Sequence, residues 1–272
     1  MAILPKINQI QLAIESGKVL QDKRPYMGYS GLGHKCKRYV WLNFRWAFDR
    51  YVDKRVARIF ERGDWEENRI IRDLESVGII VTDQQLEMTD STGHVCGHID
   101  GIASNVIGYD PNERMLLELK TMNDKRFQTY LKEGLERSDP EYYVQINMYM
   151  GKLGLDKCLF IVTNKNNEQR EYTVYDFDPE CFEEHEGIAM DILTAEYPPD
   201  RIGHRTYFAC KMCGAYEYCQ KATVPTSVNC RTCKYANIEM AGEWTCDELG
   251  TILTTATQRV GCPRYEKADC YE

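Results

Sequence analysis

The chain has 272 residues, of which 43 % are hydrophobic and 28 % charged, and its formal net charge is −8. This composition is that of a globular protein of one or two domains, and it excludes disordered, collagen-like and membrane-spanning classes. No apolar run approaches the roughly 18 residues of a membrane span, and the first residues lack the features of a signal peptide. We therefore expect no membrane partner and a cytoplasmic location, in the host cytoplasm if the protein is viral.

Charge and cysteine are distributed unevenly along the chain. Residues 1–72 hold 15 of the 34 basic residues but only 8 of the 42 acidic ones, which favours contact with phosphate in that segment. The chain also contains 12 cysteines. In a reducing compartment, clustered cysteines are better candidates for metal ligands than for disulfides.

The N-terminal quarter is predicted to be mainly helical. Isoleucines recur at helical spacing from Ile3 to Ile14, and a longer helical pattern runs from Phe48 toward Leu74. After Gly78 the pattern alternates, first as strands over 79–88, 94–103 and 115–121, then as helices over 125–137 and 141–153, strands over 158–163 and 171–176, and a helix over 179–195. This order of elements predicts an α/β domain.

A cysteine-rich tail follows the last predicted helix. Residues 221–229 have the composition of a linker and separate two groups of cysteines. We therefore expect two domains, over residues 1–221 and 222–272.

Acidic and basic side chains converge on the predicted central strands. Asp100 lies in the segment Gly-His-Ile-Asp-Gly, and Glu118 and Lys120 alternate with leucines in the next strand, so that they share one face. Two carboxylates on neighbouring strands offer the hard oxygen ligands that Mg²⁺ or Mn²⁺ prefers. A lysine beside them can orient a metal-activated water and neutralise charge on a scissile phosphate. This pattern predicts a site that hydrolyses phosphodiesters.

Three further polar residues are expected near this site. Glu67 follows Gly63 by four residues on the helix that precedes the strands. Gln145 and Tyr149 are spaced i,i+4 and therefore share one face of a later helix. Their amide and phenol can hydrogen-bond a phosphate or a metal-bound water, although a merely structural helix face remains an alternative.

These motifs, Gly-x-x-x-Glu, Gly-x-x-Asp-Gly, Glu-x-Lys and Gln-x-x-x-Tyr, resemble in type and order those of the RecB-type branch of the PD-(D/E)xK nuclease superfamily. The resemblance covers about residues 60–175 and implies a restriction-endonuclease-like αβββαβ core, here with a helical N-terminal region and a metal-stapled cysteine-rich tail. It implies that Asp100 and Glu118 are metal ligands and Lys120 the catalytic lysine. Glu67 is then an accessory acid, and Gln145 and Tyr149 assist in the cleft. The alternative for Glu118 and Lys120 is a solvated pair on an open strand face.

The first group of cysteines has three members, Cys210, Cys213 and Cys219, whereas thiolate metal sites usually have four ligands. Cys36 is the natural fourth. One cysteine before the nuclease core and three after it is similar to iron–sulfur nucleases of the AddB type and to CRISPR-associated RecB-like exonucleases. That similarity implies a structural 4Fe-4S cluster.

The second group, Cys230, Cys233, Cys246 and Cys262, contains four potential ligands and fits a structural zinc site. Thiolates serve either metal, so zinc in both sites stays open, as do buried free thiols.

Basic residues of the N-terminal segment are interleaved with aromatic ones, which suits a path for single-stranded DNA. A solvated helix face with buried aromatic residues explains the same pattern. The candidates for contacting DNA are Lys35, Lys37, Arg38, Arg45, Lys54 and Arg58.

The sequence thus predicts a metal-dependent DNA exonuclease that acts on single-stranded ends, in recombination, repair, or phage- or CRISPR-linked DNA processing. Unwinding would need a helicase or a partner from recombination or CRISPR adaptation, because no Walker motif is present. Two alternatives remain open. One is a structure-specific or nicking endonuclease on the same core, and the other is a non-catalytic DNA-binding subunit of a recombination complex.

Overall fold

The computed structural model describes residues 5–271, without the side chains of residues 5–7 and of Asp64. Ile3, the predicted start of the first helix, and residue 272 therefore lie outside the described residues. The elements in chain order are α1 (Pro5–Glu15), β1 (Lys18–Leu20), β2 (Met27–Gly28), α2 (Tyr29–Leu32), α3 (Lys37–Phe44), β3 (Tyr51–Asp53), α4 (Lys54–Ser76), β4 (Ile80–Thr82), β5 (Glu87–Thr89), β6 (Val95–His98), β7 (Gly101–Ser104), β8 (Met115–Met122), α5 (Asp124–Glu133), α6 (Leu135–Ser138), α7 (Pro140–Leu153), β9 (Lys157–Asn164), β10 (Arg170–Asp176), α8 (Pro179–Thr194), α9 (Phe208–Lys211), α10 (Tyr216–Cys219), β11 (Ala236–Ile238), β12 (Trp244–Cys246), β13 (Thr251–Ile252) and α11 (Thr255–Gln258).

Five strands form the main sheet in the order β10-β9-β8-β7-β4. The central strands β8 and β9 are parallel, whereas the other neighbours are antiparallel. A parallel pair needs a crossover connection, and helices α5 to α7 provide it between β8 and β9. The predicted mixed α/β class is confirmed.

The two faces of β8 belong to different hydrophobic clusters. Leu117 and Leu119 pack with Ile70 and Leu74 of α4 on one face. Leu116 points to the other face, into the larger cluster that includes residues of α2, α3, α7 and α8. Because side chains alternate along a strand, Glu118 and Lys120 share the face of Leu116. No helix among residues 5–271 is both long and apolar enough to cross a membrane.

The long N-terminal helix begins later than its hydrophobic pattern indicates. Phe48 is buried outside any helix, and Val52 lies in strand β3, paired with Val19. Helix α4 begins after Asp53, because the carboxylate of Asp53 accepts a hydrogen bond from the Val56 N–H at 2.8 Å and caps the helix.

Two of the predicted strands are each divided between two sheets. The strand over 79–88 becomes β4 in the main sheet and β5 in a second sheet with β6 and β2. Asp83 and Gln85 in its middle have positive φ angles of 53° and 54°, so the chain turns there. The strand over 94–103 is interrupted at Ile99 and Asp100, between β6 and β7.

One predicted helix is also divided, because Gly134 has a φ of 76° and separates α5 from α6. The other expected elements are confirmed within one or two residues. They are the strand over 115–121, the helix over 141–153, the strands over 158–163 and 171–176, and the helix over 179–195.

The cysteine-rich tail packs closely on the rest of the molecule. Trp244 and Tyr271 belong to the same hydrophobic cluster as helices α3 and α7, so the core continues across residue 221. The buried guanidinium of Arg231 lies 3.9 Å from the ring centroid of Trp46 and donates to the carbonyl oxygen of Phe44 at 2.8 Å. Burial, reinforced by the nearby charge of Arg45, lowers the pKa of Arg231 to about 9.

Candidate active site

The interruption between β6 and β7 places Asp100 against strand β8. Its Oδ2 accepts a hydrogen bond from the backbone N–H of Leu119 at 2.7 Å. Leu119 lies between Glu118 and Lys120 on β8, so this bond fixes Asp100 beside both side chains.

Glu118 is fully buried, and its two carboxylate oxygens differ in their surroundings. Oε1 accepts hydrogen bonds from Lys120 Nζ and, at 2.8 Å, from Gln145 Nε2. Oε2 is buried and has no hydrogen-bond partner among the described residues. A buried anionic oxygen without a partner costs free energy, so this atom fits a position where a cation or water binds.

Burial and like charge shift the titration of the two carboxyl groups. Burial raises the pKa of Glu118 to about 8, reinforced by the charges of Asp100 and Glu67 and opposed by Lys120. Burial also raises the pKa of Asp100, against the charge of Lys120 and the hydrogen bond from Leu119. Two carboxyls that resist ionisation side by side have a high affinity for a cation that would neutralise them.

Lys120 keeps its charge in this setting. Burial acts to lower the pKa of Lys120, but the carboxylates of Glu118 and Asp100 outweigh it, and the pKa lies above its usual range. The ammonium group is therefore a fixed positive charge inside the site.

Tyr149 supports the site from helix α7. Its hydroxyl donates to the carbonyl oxygen of His98, at the end of β6, at 2.9 Å. Burial and the charge of Glu118 raise the pKa of Tyr149, so the phenol keeps the proton that it donates. A Cβ atom at Gly97 would lie 2.3 Å from this hydroxyl, which explains why glycine occupies that position.

Tyr142 is a residue of the site that the motifs do not include. Its ring centroid lies 5.1 Å from Lys120 Nζ and 5.4 Å from the guanidinium of Arg126. The signal was present in the sequence, because Tyr142, Gln145 and Tyr149 are spaced i, i+3 and i+7 on one helix face.

Two adjacent glutamates on α4 have different surroundings. The charge of Glu67 contributes to the raised pKa of Glu118, and Gln85 Nε2 lies 3.4 Å from its Oε2. Glu66 is buried instead against β9 and β10, where Thr163 Oγ1 and Arg170 Nη2 each donate to its Oε1 at 3.1 Å. Glu67 therefore lies near Glu118, whereas Glu66 holds α4 on the sheet.

The carboxylates fit a small divalent cation. Among the side chains that the structure describes, which exclude that of Asp64, no three of His, Cys, Asp or Glu are arranged so that they could hold a metal ion. Mg²⁺, however, commonly binds through one or two carboxylates and keeps several waters. Asp100 and Glu118, with the unpartnered Oε2 of Glu118, provide that kind of ligand set.

Each group of cysteines that the sequence singled out lies together in space. Cys36, Cys210, Cys213 and Cys219 line a cavity of about 20 Å³, while Cys230, Cys233, Cys246 and Cys262 line one of about 540 Å³. Burial raises the pKa of Cys213, and so do the other three thiols of its group. The same holds for Cys230 in the second group. All 12 cysteines are free thiols. The cysteines within each group are neighbours, but they do not have the spacing of a metal site.

The basic residues of the N-terminal segment differ in their surroundings. Arg45 donates to the carbonyl oxygen of Ala195 at 3.2 Å and lies 4.5 Å from the ring centroid of Trp41. Burial lowers the pKa of Arg45, and these contacts hold its half-buried side chain against the end of helix α8.

The other five candidates differ in their contacts and in their exposure to solvent. Lys37 donates to the carbonyl oxygen of Leu32 at 2.7 Å, and Arg58 forms an ion pair of 2.6 Å with Glu15. Lys35 is exposed, whereas Lys54 and Arg38 are half-buried.

Comparisons with known proteins give only a distant structural similarity. No family model matches the chain, and no curated protein matches it. Among solved structures, the chain is similar to an alkaline exonuclease (LHK-Exo) from Laribacter hongkongensis, with a TM-score of 0.45 and 18 % identity over 63 % of this chain and 87 % of that one. LHK-Exo in complex with dAMP gives 0.44 and 17 % over the same shares. SSO0001 gives 0.44 and 15 % over 73 % of this chain and 88 % of that one. Function therefore has to be inferred from the site itself.

Proposed function

We propose that the protein is a metal-dependent DNA nuclease of the PD-(D/E)xK type, acting as an exonuclease on single-stranded ends. The observation that carries this proposal is the buried carboxylate of Glu118, whose Oε2 has no described partner although Asp100 and Lys120 lie beside it. A buried pair of carboxylates next to a fixed ammonium group suits phosphodiester hydrolysis, because the reaction needs both a cation site and a positive charge near the phosphate.

Asp100 and Glu118 would hold Mg²⁺ or Mn²⁺. When bound, such an ion polarises the scissile phosphate and makes a bound water more acidic. Lys120 neutralises negative charge that develops on the phosphate, since its own charge is held in place by Glu118 and Asp100. Gln145 fixes the orientation of Glu118 through the bond to Oε1, which leaves Oε2 free for the cation.

The remaining residues act through these three. Tyr149 holds the end of β6 through the carbonyl of His98, immediately before the turn that carries Asp100. Glu67 adds negative charge near Glu118 and so strengthens the attraction for a cation.

The competing functions differ in the substrates that they degrade. Labelled linear and circular single-stranded DNA would be incubated with anaerobically purified protein and Mn²⁺, with Glu118→Gln as the inactive control. Loss of linear DNA alone, abolished in the variant, is the expected result, and the label position then gives the polarity. Loss of circles would indicate the structure-specific or nicking endonuclease instead, and binding without cleavage under any divalent metal would indicate a binding subunit.

Both cysteine groups are proposed to be structural metal sites. Cys36, Cys210, Cys213 and Cys219 would hold a 4Fe-4S cluster that ties helix α3 to the C-terminal region, and Cys230, Cys233, Cys246 and Cys262 would hold Zn²⁺. The zinc proposal is supported by the small core of the tail, since Trp244, Leu253 and Tyr271 are the large hydrophobic side chains buried in its described part. Small modules with so little core are commonly stabilised by a metal.

Metal analysis of anaerobically purified protein tests both sites. We expect iron and zinc in the unchanged chain, loss of iron alone in Cys213→Ser and loss of zinc alone in Cys246→Ser. Zinc in both groups would contradict the cluster, and the absence of both metals would contradict both sites. Cys158→Ser is the matched control, because that thiol lies in strand β9, outside either group.

A further inference from the structure

A further cavity, of about 510 Å³, lies between helix α3, the loop after α8 and the C-terminal tail. Its size is in the range of about 300–1,000 Å³ that is usual for ligand sites. Four cationic side chains line it, and among residues 5–271 no carboxylate does. This is unusual for a chain with 42 acidic and 34 basic residues. The cationic residues are Arg38, Arg201, Lys221 and Lys267.

Most of this positive charge is not neutralised by any carboxylate among the described residues. Lys221 forms an ion pair with Glu217 at 2.9 Å, but Arg38, Arg201 and Lys267 form none with the carboxylates that the structure describes. Arg38 is also held in place, because its Nη1 donates to the carbonyl oxygens of Pro198 and Pro199 at 3.2 and 3.0 Å. Its Nε is buried without a hydrogen-bond partner.

Aromatic rings accompany the cations. Tyr218 stacks on Phe48 with ring centroids 5.8 Å apart, and its hydroxyl contacts Thr226 Oγ1 at 3.2 Å. The hydroxyl of Tyr265 contacts Thr232 Oγ1, also at 3.2 Å. Cations beside aromatic rings are the combination that binds single-stranded nucleic acid, through phosphates and stacked bases.

The cavity is separate from the candidate active site. Its lining comes from α3, α10 and the segments around residues 198–201, 220–228 and 265–271. The elements that carry Glu118, Lys120, Gln145 and Tyr149, which are β8 and α7, contribute no described residue to it. A ligand in this cavity would therefore not occupy the position of a scissile phosphate.

We propose that this cavity is a second binding site for single-stranded nucleic acid, which holds the phosphate backbone of a strand away from the catalytic carboxylates. The proposal rests on the proposed function insofar as the bound strand is the nuclease substrate. An acidic protein segment would also be attracted by the cations, but the two tyrosines favour a ligand with stacking bases.

Equilibrium binding tests this proposal without any need for cleavage. Fluorescence anisotropy would follow a labelled oligothymidine of about 20 nucleotides, without added divalent metal, over a range of salt concentrations. The test variant is Arg201→Ala/Lys267→Ala. The matched control is Arg114→Ala/Lys157→Ala, which removes one arginine and one lysine that are paired with Asp83 and Asp176 elsewhere on the surface. Thermal melting of each variant shows that it is folded.

We expect the test variant to bind about tenfold more weakly, and its salt slope to fall by about 1.4, since each lost phosphate contact accounts for about 0.7 on a single strand. The control variant should bind as the unchanged protein does. Equal binding by the test variant would overturn the proposal. So would loss of binding to a labelled polyglutamate peptide with unchanged binding to the oligonucleotide, which would identify an acidic protein partner.

The two proposals fail in different ways. If the protein cleaves no DNA but the test variant still binds the oligonucleotide more weakly than the control, the nuclease is refuted and the second binding site stands. If the protein cleaves DNA and the test variant binds normally, the second binding site is refuted and the nuclease stands.

Discussion

Gln145 Nε2 on helix α7 donates a hydrogen bond of 2.8 Å to Glu118 Oε1 on strand β8, and both side chains are buried. The same oxygen accepts a hydrogen bond from Lys120 Nζ, so one side of the carboxylate is saturated and the other is open. Helix α7 and the central strand are thereby joined at the carboxylate on which the proposed chemistry depends.

Replacing Gln145 should change activity through Glu118. Gln145→Ala removes the bond that orients the carboxylate, and we expect turnover to fall by about 10- to 100-fold with a loss of about 1 kcal/mol in stability. Gln145→Glu places another carboxyl beside Glu118, which should raise the pKa of Glu118 further and move the pH profile of cleavage upward. An unchanged pH profile in Gln145→Glu would contradict a positioning role.

Gly97 and Tyr149 should behave as a coupled pair. In Gly97→Ala the new Cβ meets the Tyr149 hydroxyl at 2.3 Å, and we expect a destabilisation of about 1–3 kcal/mol together with reduced activity. Tyr149→Phe removes the oxygen that the Cβ would touch but also the bond to His98. The double variant should therefore lose less stability than the sum of the single losses, as chemical denaturation of all four proteins would show. Additive losses would contradict the contact.

The metal requirement should depend on pH through Glu118. Its pKa of about 8 means that the carboxyl is mostly protonated below this pH and ionised above it. Because a cation competes with that proton, the Mg²⁺ concentration for half-maximal cleavage should fall about tenfold for each pH unit up to about 8, and then level off. Saturating Mg²⁺ should remove the dependence. A metal requirement that is constant across this range would contradict the raised pKa of the buried Glu118 carboxyl.

Adjacent glutamates on α4 should give opposite phenotypes. Glu66→Ala breaks a buried contact with Arg170 and Thr163, and we expect the free energy of unfolding to fall by about 3 kcal/mol. Glu67→Gln should leave stability nearly unchanged and reduce cleavage at low metal concentration, since it removes a charge near Glu118. Thermal melting and metal titration of both variants compare the two roles directly. A destabilised Glu67→Gln would show that its part is structural.

Periodicity in the sequence was sufficient to predict the elements that form the parallel centre of the sheet. The hydrophobic residues of β8, β9 and α7 form clear sequence patterns, because each element is buried along most of its length. The pair of Glu118 and Lys120 followed from alternation along β8 alone. Motifs alone do not identify every residue of the site. Tyr142 contacts Lys120 from the same helix face as Gln145 but belongs to no motif.

The parts that sequence patterns did not predict depend on contacts between distant segments. The interruption at Asp100 is stabilised by the Leu119 N–H, which lies 19 residues further along the chain. The half-buried position of Arg45 depends on Trp244, in the tail, as well as on Trp41. The local sequence pattern does not contain such information, because a basic residue among aromatic residues gives the same pattern on a surface and in a core.

The most direct test is metal-dependent release of nucleotides from linear single-stranded DNA by the unchanged protein and Glu118→Gln. Glu87→Gln is the control, an exposed carboxylate that faces His98 at 3.4 Å outside the site. We expect release in Mg²⁺ or Mn²⁺ by the unchanged protein and by the control, and a loss of at least about 100-fold in a Glu118→Gln variant that thermal melting shows to be folded. Undiminished release by a folded Glu118→Gln variant would contradict the assignment of this carboxylate to catalysis.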